Sequence, residues 1–141
     1  MHSNNEIGMI QLMEDIGAIA LEHVILFHTD AAQSVGKVPV HVAELGVDML
    51  SVAGHKLYAP KGIGALYIRQ GTSIGPILVG APQENGLRPG TENVPGIVGL
   101  GEAAHLARLR LAGADGDLRQ LAEELFGSLA ARVPGLVLNG H

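Results

Sequence analysis

The chain has no cysteine and no tryptophan, and only two tyrosines and two phenylalanines. Without a thiol it offers no disulfide, no cysteine-ligated zinc and no thiol nucleophile. With aromatics at 3% of residues, any core must be aliphatic, built from Leu, Ile, Val and Ala. Charge is sparse as well: 16% of residues, nine basic against fourteen acidic, for a net −5. No basic run exists, which argues against nucleic acid or an acidic membrane surface as a partner. No apolar stretch approaches the roughly 20 residues of a membrane span. The opening Met1-His2-Ser3-Asn4-Asn5-Glu6 is polar and lacks the pattern of a signal peptide. These absences fit a cytoplasmic setting.

Hydrophobic residues are plentiful, at 47% of 141 positions. That is enough for one sizeable core and too much for a disordered chain. Twenty glycines exceed the usual share of about 7%. They lack a three-residue period, so they mark turns and close backbone approaches rather than collagen.

Along the chain, residues 11–22 place Leu12, Ile16 and Ile19 at helical spacing, with Glu14 and Asp15 on another face. Val24-Ile25-Leu26-Phe27 follows, an apolar run that predicts a strand buried on both faces of a parallel sheet. It ends in His28-Thr29-Asp30. Residues 31–36 read as a short helix or turn closed by Gly36, 38–40 as extended, and 41–46 as a short helix stopped by Gly46. Asp48 to Ala53 predicts a second buried strand, ending at Gly54-His55-Lys56. Pro60 to Gly64 is a tight turn, and Ala65 to Arg69 a third strand. Residues 71–93 read as a long loop, which in a compact domain is usually functional. A helix runs from about Pro95, a favoured first-turn residue, to Leu111. A break spans Gly113 to Asp117. Leu118, Leu121, Leu125 and Leu129 then predict an amphipathic helix with a core-packing stripe, ending near Val133. Val137-Leu138 begins a further strand. Both ends read as cut, so the expectation is an interior piece of a larger α/β protein.

Three features follow predicted strands, at the edge where open α/β sheets bind ligands. Asp30 is either the N-cap of the next segment or the partner of a protonated ligand nitrogen. Gln33 is a hydrogen-bond donor on the same rim or a solvated amide. Lys56 is a solvated loop lysine or, if burial lowers its pKa, an amine suited to Schiff-base chemistry. His55 offers a phosphate contact or a stacking ring. In Arg88-Pro89-Gly90-Thr91-Glu92-Asn93, Thr91 stands where it binds a phosphate at a helix N-terminus or caps that helix. The histidines show no metal-ligand spacing; His23, His28 and His41 read as surface or satisfied residues.

Taken jointly, Asn4-Asn5-Glu6-Ile7-Gly8, His28-Thr29-Asp30-Ala31-Ala32-Gln33, Gly54-His55-Lys56, Tyr58 to Tyr67 and Gln83 to Asn93 resemble the cysteine desulfurases and selenocysteine lyases. These are class V members of the aminotransferase-like enzymes that use pyridoxal 5′-phosphate (PLP). The resemblance covers nearly the whole chain. It implies an α/β fold: part of the large domain of a fold-type-I PLP-dependent transferase, a mainly parallel sheet flanked by helices. Residues 1–112 would belong to that domain; 113–141 would be a helix and the start of the small C-terminal domain.

The resemblance also implies roles. Lys56 would hold PLP covalently and later shuttle protons. Asp30 would pair with the pyridinium nitrogen, Gln33 with the phenolic oxygen, and Asn5 would lie in the same pocket. His55 would contact the phosphate. Thr91 would reach the phosphate of a neighbouring subunit's cofactor, so the whole enzyme would be a homodimer. The implied substrate is cysteine or selenocysteine, with alanine as product and a sulfur-acceptor protein as a further partner. Two positions depart from the family pattern. Ala53 stands where many desulfurases carry a phosphate-binding serine, and Gly80-Ala81-Pro82-Gln83-Glu84 replaces a triple-glycine run, which implies a stiffer loop. The upstream phosphate loop, the ring-stacking residue and the substrate-carboxylate arginine are not in this sequence. Little turnover is therefore expected of this polypeptide alone, and a non-catalytic scaffold is the alternative of another class.

Overall fold

A three-stranded sheet carries the fold, ordered β1 (His28–Asp30), β2 (Met49–Ala53), β3 (Gly64–Ile68). The computed structural model describes residues 1–111 and 115–140, residues 115–117 by their backbone alone. β1 and β2 are parallel, with Asp30 opposite Ser51. β2 and β3 are antiparallel, with Ser51 opposite Leu66. The sheet is thus mixed, where the sequence suggested mainly parallel pairing. The reason is the short connection through Pro60–Gly64: Gly62, at φ 85°, lets the chain reverse at once and leaves no room for a crossover helix.

Among the described residues, three α-helices accompany the sheet: α1 (Met13–Glu22), α2 (Val94–Leu111) and α3 (Asp115–Ala130). Side chains alternate along each strand, and Thr29, Leu50, Val52 and Tyr67 point to one face. Leu50, Val52 and Tyr67 pack with Met13, Ala31, Leu45 and Val47 in the main core. Val52 also meets Leu57, Ala59 and Ala103 in a second cluster, where α2 rests on the turn after β2. His28, Asp30, Met49, Ser51, Ala53 and Leu66 take the opposite face, and none of them belongs to either cluster. One layer covers the sheet, where burial on both faces was expected. α1 approaches closely because Gly17 has no Cβ: one there would collide with the Leu45 carbonyl oxygen.

Several expectations fail for identifiable reasons. The apolar run 24–27 is not a strand. Val24 adopts φ 56°, a left-handed conformation that no strand contains, and it is 92% exposed. The ladder is closed off at Phe27, whose N–H donates to Asp48 Oδ2 at 2.8 Å while its carbonyl accepts from the Asp48 and Met49 amides. The faces formed by Leu12, Ile16 and Ile19 and by Leu118, Leu121, Leu125 and Leu129 are exposed, so the leucine stripe of α3 is not core packing in this chain. Of the expected break, residues 113 and 114 lie outside the described residues, and Asp115–Asp117 are already in α3. Val137 and Leu138 carry no ladder. No helix among the described residues is long and apolar enough to cross a membrane.

A polar brace holds the end of the sheet where β1 and β2 begin. Asp48 accepts from Phe27 N–H and pairs with Arg69 Nε at 3.5 Å. Arg69 also donates to the Val47 carbonyl through Nη2 at 2.8 Å. Asp48→Ala is expected to cost about 1–3 kcal/mol, because it orphans a part-buried N–H and leaves Arg69 unpaired. A urea titration of both chains measures it.

Candidate functional site

The parallel register brings the candidates to one edge. β1 and β2 run the same way, so Asp30 at the end of one and Lys56 just past the end of the other share the C-terminal side of the sheet. The chain beyond β1 turns through residues 31–36, tied back by the Ala31 amide on the Ser51 carbonyl at 3.0 Å. Beyond β2 it forms the 3₁₀ turn Gly54–Leu57, which buries Gly54 and Leu57 and leaves His55 and Lys56 exposed. Burial of the Lys56 amine is therefore not observed: the turn places Leu57, not Lys56, against α2.

Asp30 does cap the following turn, with Oδ1 accepting the Ala32 N–H at 2.8 Å. Its Oδ2 has no described partner, so the cap leaves one oxygen for a ligand. Gln33 is half-buried, and its Oε1 accepts from Lys37 Nζ at 3.2 Å. That bond leaves the Gln33 amide N–H groups free to donate. Asn5 arrives by a different route. The His2 amide donates to the Asp30 carbonyl at 2.8 Å, and Ser3 Oγ meets Ser34 Oγ at 2.7 Å. The N-terminal segment thus continues alongside β1 and past its end. Asn4 Oδ1 then accepts from the Glu6 and Ile7 amides, forming a turn with Asn5 exposed at its tip. His2 is buried, and its imidazole pKa is lowered by that burial and, secondarily, by the charged amino terminus.

Thr91 is not brought to this edge by any described contact. It does not cap α2 either: Asn93 does, with Oδ1 on the Gly96 N–H at 3.1 Å. The loop before it closes on itself. Gln83 Oε1 accepts from the Gly90 amide, and Arg88 pairs with Glu84 at 3.1 Å while donating to the Gly90 carbonyl. Lys56 lines a groove of about 750 Å³ with Tyr58, Glu102 and Arg110, and Asp30, Gln33, His55 and Asn5 do not reach it. Tyr58, at φ 71°, closes the turn, and Arg110 lies over its ring at 5.4 Å. Among the described residues, no group of acidic and histidine side chains could hold a metal ion.

Two polar residues near Asp30 carry little signal of their own. His28, read from sequence as a surface or satisfied histidine, places Nε2 2.8 Å from Ser51 Oγ. The alternation His28-Thr29-Asp30 was the clue that His28 and Asp30 share a face; Ser51 joins them only through the strand register.

The chain is similar to known proteins over nearly its whole length. The family model described as aminotransferase class-V matches residues 1–141. A cysteine desulfurase IscS of Dictyoglomus turgidum is 50% identical over 140 residues, 99% of this chain and 36% of that protein. A solved NifS-like protein superposes with TM-score 0.88 at 42% identity, over 93% of this chain and 36% of that one. SspA in complex with cysteine gives TM-score 0.74 at 44% identity, covering 89% of this chain and 36% of the other. The chain spans about a third of the length of these relatives.

Proposed function

Because the chain belongs to the class V aminotransferase family, whose cysteine desulfurase members are PLP-dependent, we propose that it forms part of a PLP site that removes sulfur from L-cysteine. Residues 1–112 are then part of the large domain, and 113–141 lead into the small one. The observation that carries this reading is the β1–β2 register, which puts a carboxylate and an amine on the same sheet edge.

The residues present suit the coenzyme. Asp30 keeps one oxygen free, Gln33 keeps its donor, and neither described ion pair involves Lys56. Asp30 holds the proton on the ring nitrogen, since a carboxylate favours a protonated partner. Gln33 donates to the phenolic oxygen, with Asn5 beside it, and His55 faces the phosphate. Lys56 Nζ anchors the coenzyme and moves the proton at the substrate α-carbon. Thr91 acts on the phosphate in a second copy of the chain. When bound, PLP supplies an electron sink for a carbanion next to the amino group. The sulfur passes to an acceptor thiol and alanine remains; the acceptor is not on this chain, which has no cysteine. SspA in complex with cysteine supports the substrate.

The test is chemical trapping. The chain is incubated with PLP, reduced with borohydride and mapped by peptide mass. The expected label is on Lys56, and Lys56→Ala is expected to lose it. Label spread evenly over Lys37, Lys56 and Lys61, unchanged in Lys56→Ala, would remove the assignment.

A further inference from the structure

Residues 2–11 form a small hairpin whose tip carries Asn5. Ser3 bridges Ile10 in antiparallel fashion, and the Asn4 amide donates to the Met9 carbonyl at 2.9 Å. Asn4 Oδ1 holds the Glu6 and Ile7 amides, so the tip is bonded within itself. The base is closed by the Gln11 amide on the His2 carbonyl at 2.9 Å. The hairpin is moored to the fold at that base: the His2 amide donates to the Asp30 carbonyl, and Gln11 leads into Met13, which is buried in the main core. Beyond the base, the described hydrogen bonds tie the hairpin to another element at one point, Ser3 Oγ with Ser34 Oγ at 2.7 Å. Ser34 is fully buried and Ser3 partly so.

We propose that Ser3 and Ser34 are positioning residues for Asn5: their hydroxyl pair is a latch that fixes the tilt of the hairpin against the turn carrying Gln33. The inference rests on the assignment of Asn5 to the coenzyme pocket. Attachments along the base leave the hairpin one freedom, rotation about that base, and such a rotation carries the tip with it. Ser3 stands one residue beyond the base, so its bond lies off that axis and stops the rotation. The turn is the fixed partner. Its Ala31 amide donates to the Ser51 carbonyl of β2, and the Ser34 and Val35 amides both donate to the Ala31 carbonyl. Opening the latch therefore moves Asn5 and leaves Gln33 in place. A serine hydroxyl both donates and accepts, so either serine can supply the proton. Ser34 is cut off from water and has Ser3 as its described side-chain partner. A buried hydroxyl without a partner is costly, so the latch holds unless the hairpin swings out far enough to admit solvent.

The experiment uses the 141-residue chain, labelled with ¹⁵N and weakly aligned, so that amide residual dipolar couplings report orientation. In Ser3→Ala and in Ser34→Ala the couplings of residues 4–8 are expected to change together, as one rotation, while those of β2 hold. Ser3→Thr, which keeps the hydroxyl, should keep the couplings. With PLP loaded, each alanine variant is expected to weaken retention about tenfold, the size of one lost hydrogen bond. In an Asn5→Ala background, Ser3→Ala should weaken retention no further, because it acts through Asn5. A merely structural bond would lower the melting temperature in both backgrounds and leave retention by the folded chain unchanged. Melting curves of the unloaded variants separate these effects from unfolding. Couplings of residues 4–8 unmoved in both alanine variants overturn the proposal, as does a retention loss that is absent, or that persists in full without Asn5. If the unsubstituted chain takes up no PLP on Lys56, the reading of the site falls, and the couplings still decide whether the hydroxyl pair sets the tilt of the hairpin.

Discussion

Gly54→Val is expected to produce the largest loss of stability of any single change at the site, about 3 kcal/mol, at the upper end of overpacking costs. A Cβ at Gly54 would lie 2.6 Å from the Ile63 carbonyl oxygen and 2.9 Å from Ile63 Cγ2, with Ala59 Cβ at 3.2 Å. The Ile63 oxygen is the acceptor of the Gly54 N–H at 3.0 Å. Relief therefore means moving the segment that leads into β3, and the bond from Gly54 is lost with it. The Gly54 carbonyl also receives the Ala59 and Tyr58 amides, so the turn that carries His55 and Lys56 is disturbed from both ends. Denaturant titration measures the loss, and borohydride trapping shows whether Lys56 still reacts. Gly101→Ala in α2 is the matched control. Nothing lies within 4 Å of its Cβ position, and helix propensity favours alanine by about 1 kcal/mol.

Asp30→Asn is expected to give the largest loss of cofactor retention among substitutions that leave the fold intact. Asparagine Oδ1 can still accept the Ala32 N–H, so the turn after β1 stays capped. What disappears is the negative charge facing the ring nitrogen. Charge-assisted hydrogen bonds are about twice as strong as neutral ones, and their loss corresponds to roughly ten- to hundredfold in affinity. Equilibrium titration with PLP reads this directly. Asp30→Ala is the informative contrast: it loses the charge and the cap together, so its melting temperature falls as well, whereas that of Asp30→Asn holds.

The elements that could be read from sequence are those whose signals are local. β2 was bounded by Asp48 and Gly54, and the apolar run between them forms the middle of the sheet. α2 was announced by Pro95 in its first turn, and α1 by its spacing. The run 24–27 misled because hydrophobicity says nothing about where a ladder begins. A side chain 21 positions away, Asp48, takes the Phe27 amide and ends the pairing there. The α3 stripe misled in a related way: periodicity specifies a helix and the width of its apolar face, not what covers it. At the site, Asp30 as a cap was foreseeable from residue type. An exposed Lys56 was one of two readings open in the sequence, and the choice between them depends on which residue of a four-residue turn meets α2. Ser51 beside Asp30 was invisible until the register was known.

The Asp48–Arg69 brace sits where β1 and β2 start, and the chemistry-bearing groups sit where they finish. Rigidity and reactivity are thereby lodged at opposite poles of the same ribbon. Drift at the starting pole should surface as altered thermal tolerance, whereas at the finishing pole it can alter ligand handling alone, as in Asp30→Asn, or tolerance as well, as in Gly54→Val.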